Sequence, residues 1–146
     1  MNALPVIALL VLAGVLVALQ APVNAVLGRA VGSAIVAAAL SFGVGFAALS
    51  LLATVRGLWP GAAQVAAVPL WAWIGGVFGA YFVWAGIYGV SRVGLVTVAA
   101  ALVLGQIVTG LVVDRAGWFG VPVQPVSWTR LGGAMLVAAG LVLSRF

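Results

Sequence analysis

A chain of 146 residues that is 66% hydrophobic and only 5% charged is no water-soluble domain, because a globular surface needs about a quarter of its residues charged. Its net charge of +5 comes from six arginines against one carboxylate, Asp114. The arginines are scattered one or two per connection, which excludes a nucleic-acid surface and fits membrane anchoring.

Cysteine, histidine and lysine are absent, so disulfide, thiolate, zinc, imidazole and Schiff-base chemistry are excluded. A single carboxylate excludes paired-carboxylate hydrolysis within one chain. With a mean hydropathy of +1.38, the sequence reads as an all-α integral membrane protein and not as an enzyme. It calls for no metal or other cofactor, and the lipid bilayer is its first partner.

The first predicted helix covers 4–27, about 36 Å at the α-helical rise, long enough to span with some tilt. It lacks a basic lead-in and exceeds the apolar core of a cleaved leader, so it is read as a span. Its second half, LQAPVNAVLGR from Leu19 to Arg29, concentrates polarity. Gln20 and Asn24 share a face at i, i+4. Pro22 lacks the amide that would bond the carbonyl of Ala18. Two readings stand: a substrate site beside a loosened backbone, or a kink whose amides bond between helices.

A glycine-flanked turn leads to a second helix over 33–55, for which Ser33 is the expected N-cap. Ala37, Ser41 and Gly45 recur every four residues and form a small-residue stripe for close packing. The connection 56–69 carries Arg56, Pro60, Gly61, Gln64 and Pro69, and its middle, 62–68, fits a short interfacial helical turn. Trp59, Trp71 and Trp73 gather around it at headgroup depth.

The third helix, 70–90, contains a GxxxG from Gly75 to Gly79 that lets another backbone approach closely. Tyr81, Trp84 and Tyr88 follow at i, i+3, i+7, either as a packing stripe or as the lining of a site whose hydroxyls and indole need partners. The fourth helix, 95–113, holds Thr97 near its start and Gln106 and Thr109 at i, i+3, with Gln106 placed to bond across to Gln20 or Asn24. Asp114 ends this helix, where the dipole disfavours it and the adjacent Arg115 is the expected compensation. After a Gly, Pro and aromatic loop over 116–127, the fifth helix, 129–143, is the shortest. Gly132, Gly133 and Gly140 suit it to close packing.

These elements make one domain of five transmembrane helices, with no internal repeat. Five crossings put Arg56, Arg115 and Arg130 on one side and Arg29, Arg92 and Arg145 on the other. That even split gives almost no preferred orientation. A chain inserting both ways can pair with an inverted copy of itself, an arrangement that places one site at the midplane.

The sequence resembles the five-helix YdcZ-like branch of the drug/metabolite transporter superfamily. Gln20-Ala21-Pro22-Val23-Asn24-Ala25, Gly28-Arg29, Gly32-Ser33, Ser41-Phe42 and Gly45 carry the likeness in the first half. Trp71-Ala72-Trp73-Ile74-Gly75-Gly76, Gly79-Ala80, Gly105-Gln106, Thr109, Leu111, Asp114 and Gly117 continue it in order. The resemblance implies a multi-pass protein of the bacterial inner membrane and a transporter working as inverted pairs, here as a homodimer. It supplies neither a substrate nor binding residues. The four-helix small multidrug exporters, which also pair inversely, carry a glutamate in their first helix. This chain has none there, which leaves Asp114 as its one proton carrier.

The sequence therefore leads to a small-molecule transporter acting by alternating access as an antiparallel homodimer. Gln20, Asn24, Tyr81, Trp84, Gln106 and Thr109 are its expected substrate contacts. Pro22 and Asp114 are the expected coupling or gating elements, and Ser41, Gly45, Gly75 and Gly79 the expected packing positions. Two other classes compete. An inverted-dimer channel is suggested by Gly75-Gly76-Val77-Phe78-Gly79-Ala80, which resembles a stretch of fluoride channels, although Phe82 stands where those would carry arginine. In a non-transporting scaffold, every polar residue would be helix glue.

Overall fold

A computed structural model describes residues 4–144 and 146, and every regular element among them is a helix. Arg145, one of the arginines in the charge count, lies outside the described residues. The elements are α1 (Leu4–Val31), α2 (Ala34–Val55), the short α3 (Ala62–Ala66), a 3₁₀ turn (Leu70–Ile74) running into α4 (Gly75–Val93), α5 (Leu95–Ala116), and α6 (Trp128–Leu143). They form two compact units, one ending at Ser91 and the other beginning at Arg92.

In the first unit, α1 continues a turn further than its sequence pattern suggested, and it runs through Pro22 as helix. The chain reverses at Gly32, whose φ of +74° is a conformation glycine adopts without Cβ strain. Ser33 then caps α2 as expected: its Oγ accepts the amide of Val36 at 3.3 Å, and its own amide bonds the carbonyl of Gly28 at 3.0 Å. The core lies near this turn and is built from Ala25 of α1, Ala37 and Ala38 of α2, and Val83 and Ile87 of α4.

Small residues let the helices of that core approach closely. A methyl group at Gly28 would meet Ile87 Cγ2 at 3.5 Å and the Cβ of Ala37 at 3.6 Å, and one at Gly86 would meet Ala21 at 3.6 Å. Of the expected packing positions, Ser41 and Gly79 are half-buried, with Gly79 against the Phe42 ring. Gly45 and Gly75 face open space within this chain. Away from the turn, the first four turns of α1 bury no side chain. Leu9, Leu12 and Leu16 there stand outward, a surface that hydrocarbon solvates at no cost.

In the second unit, α5 and α6 pack together. Thr97, buried at the start of α5, donates its hydroxyl to the carbonyl of Ser144 at 3.1 Å, and Ser144 Oγ returns a bond to Thr97 Oγ1 at 3.1 Å. At the other end, α5 stops at Gly117 in the left-handed region, its amide bonding the Val113 carbonyl at 2.8 Å. The loop then folds back so that the Gln124 amide bonds the Asp114 carbonyl at 2.9 Å, and Ser127 caps α6 through the Arg130 amide at 3.3 Å.

Leu4–Val31, Ala34–Val55, Leu70–Val93 and Leu95–Ala116 are each long and apolar enough to cross a bilayer. The 16 residues of α6 rise only about 24 Å against a hydrocarbon core of about 30 Å.

Candidate functional site

The polar stretch of α1 resolves into two unlike residues. Asn24 is 5% exposed, and its Nδ2 donates to Ser41 Oγ of α2 at 3.1 Å. It faces α2 because small side chains there, Ala37 and Ala38, let the helices approach, and the i, i+4 spacing aligns Ala37 with Ser41. Among the described residues no donor pairs with Asn24 Oδ1. An amide carbonyl accepts two bonds, so Asn24 keeps an acceptor beside its bond to Ser41. Gln20, one turn earlier on the same face, is exposed, and no hydrogen bond joins its side chain to another described residue. Pro22 lies half-buried between them.

Across α2, a shallow groove of about 340 Å³ runs between α2 and α4. Ala38 and Phe42 wall one side, and Tyr81 and Trp84 the other. Three aromatic rings line up as their spacing predicts. Tyr81 and Trp84 have centroids 5.6 Å apart, and Trp84 and Tyr88 5.5 Å apart, within the range where tilted aromatic pairs attract. Tyr81 and Trp84 thus line an almost wholly apolar groove.

Gln106, Thr109 and Asp114 belong to the second unit. Gln106 and Thr109 are exposed on α5 and sit outside the groove that α5 forms with α6. Asp114 makes an ion pair with Arg130 at the start of α6. This corrects the expectation that Arg115 would compensate it. Adjacent residues on a helix point about 100° apart, whereas the folded-back loop brings α6 to Asp114. Arg130 is thereby a tether that spacing alone did not reveal, its signal being only a basic residue in the first turn after a Gly/Pro loop. Among the described residues, no group of three or more His, Cys, Asp or Glu forms a metal site.

Residues 5–143 match the family model described as "Putative inner membrane exporter, YdcZ". The chain is also 35% identical over 81 residues to "Inner membrane protein YdcZ" of Escherichia coli (strain K12). That similarity covers 56% of this chain and 54% of the relative, so the chain spans about half the length of the curated relative it matches. No solved structure matches it.

Proposed function

This chain belongs to the YdcZ family of multi-pass inner-membrane proteins, and on that premise we propose that it carries a small molecule across the membrane by alternating access. The observation that carries the reading is the Gln20/Asn24 face of α1. Two amides stand on one stripe of a largely apolar spanning helix, one on a buried residue with a spare acceptor and the other with no hydrogen-bond partner among the described residues. Groups of that kind are expensive in hydrocarbon and mark ligand paths. Gln20 and Asn24 Oδ1 contact the substrate. Tyr81 and Trp84 offer it an aromatic wall, able to hold a cation by its ring faces. Pro22, which leaves the Ala18 carbonyl without its helical donor, is the point about which α1 yields. Asp114, held by Arg130, is the coupling or gating element of the second unit.

The working unit is an antiparallel homodimer, for which the arginine balance is the support. In it α6 serves as the fifth span, and a 16-residue helix is accommodated by local thinning of the bilayer and by interfacial anchoring at Trp128.

The competing reading, helix glue, has the Asn24–Ser41 bond in its favour, so Asn24 cannot discriminate the two. Gln20 can, because it holds nothing in the fold. Gln20→Ala is expected to leave thermal stability within about 0.5 kcal/mol and to lower uptake of the transported compound into inside-out vesicles at least tenfold, across a chemically varied panel. Unchanged uptake of every compound that the parent carries removes Gln20 from the site.

A further inference from the structure

The second unit has a surface that carriage of a substrate does not use. An open groove of about 610 Å³ runs along α5 and α6. On α5 it is lined by Leu104, Val108, Leu111 and Arg115, one stripe at i, i+4, i+7, i+11. On α6 the small side chains of Ala134 and Ala138 give it width. Ten of its eleven lining residues are apolar, and the exception, Arg115, stands at one end.

We propose that this groove seats one acyl chain of an anionic phospholipid of the bilayer, with the lipid phosphate on the Arg115 guanidinium. Length is the first support. From Leu104 to Arg115 the helix rises about 16 Å, half of the roughly 30 Å hydrocarbon core, so the groove matches one leaflet. Depth is the second. Arg115 lies in the last turn of the span Leu95–Ala116, the level at which headgroups sit. Charge is the third. Asp114 is neutralised by Arg130, which leaves Arg115 exposed and without an ion-pair partner among the described residues. One unspent cation at the mouth of an apolar slot complements one phosphate above one chain, and a basic pocket between spanning helices binds anionic headgroups in this way. The inference stands whether or not the chain is a carrier.

The test is retention of lipid by the full-length protein in mild detergent, counted by native mass spectrometry. The probes are phosphatidylglycerol and phosphatidylcholine of identical acyl chains. The parent is expected to retain phosphatidylglycerol in preference. Arg115→Gln is expected to lower that retention about fivefold and to leave phosphatidylcholine unchanged, while Arg115→Lys keeps most of it. Arg56→Gln, which does not line the groove, should match the parent, and Ala138→Phe should displace both lipids. Each variant is compared as a monodisperse sample. Equal retention of the two lipids by the parent overturns the proposal, as does an equal loss in Arg56→Gln and Arg115→Gln. So does undiminished retention in Ala138→Phe, which would place the lipid elsewhere. If Ala138→Phe instead changes the oligomeric mass with no effect on lipid, a second copy covers the groove and the lipid assignment falls.

Discussion

Asn24 shows how a residue that looks like a site in sequence can be engaged in the fold as well. Its Nδ2 is held by Ser41 Oγ at 3.1 Å in a setting 5% exposed. Hydrogen bonds between spanning helices contribute about 0.6 kcal/mol on average and up to about 1.7. Asn24→Ala and Ser41→Ala are each expected to destabilise within that range. Their double-mutant cycle should return a coupling of about 0.6 kcal/mol, because the two changes remove one bond. Additive losses would mean that Asn24 contributes through burial alone. The sequence placed Asn24 and Ser41 in separate categories, one for binding and one for packing, because nothing in a linear pattern says which stripes of two helices meet.

At the scale of elements, most of the chain was legible. Of the five spanning helices read from hydrophobic length, four are long and apolar enough to cross and lie within about a turn of their observed ends, while the fifth is a helix of 16 residues. Ser33 was readable as a cap because a serine before an apolar run satisfies a free amide. The tail of α1 was not, since Gly28 and Gly32 both read as turn residues, whereas only Gly32 takes a positive φ and the helix runs on to Val31. The Asp114–Arg130 pair was hidden for a related reason: a loop of unknown path separates its partners. Element packing also separates the glycines into two kinds. Gly28 is enclosed by Ile87 and Ala37, whereas Gly14 meets nothing within 4 Å. Gly28→Leu is therefore expected to cost about 1–3 kcal/mol by overpacking and Gly14→Leu next to nothing, read as the shift in unfolding by sodium dodecyl sulfate. Equal effects would mean that the α1–α2–α4 core near the turn does not hold the unit together.

At the scale of the molecule, orientation is the open property that the charges address. The protein is free of cysteine. Gly61, exposed in the 56–69 connection, has a φ of −70° and only Gln64 Oε1 at 3.8 Å from an added methyl group. A cysteine there disturbs nothing and reports its side of the membrane. Labelling of intact cells with an impermeant maleimide is expected to reach about half the molecules, and permeabilisation the remainder, if the arginine balance sets no preferred direction. Labelling from one side alone would exclude the inverted homodimer. Which helices approach in such a pair was never readable from sequence, because the apolar faces of α1 and α2 that stand outward are chemically the same towards lipid and towards protein.

The crowded positions of the first unit also decide how the protein should be probed. Its buried contacts are made by Ala25, Ala37, Ala38 and Gly86, which have little or no side chain to remove, and by Val83 and Ile87 of α4, which do. Scanning by alanine would register this core chiefly at Val83 and Ile87 and would understate how closely α1 and α2 approach each other. Scanning by leucine would invert the picture: silent where α1 faces lipid, disruptive wherever two backbones meet, and so a map of the interior drawn by what cannot be added to it.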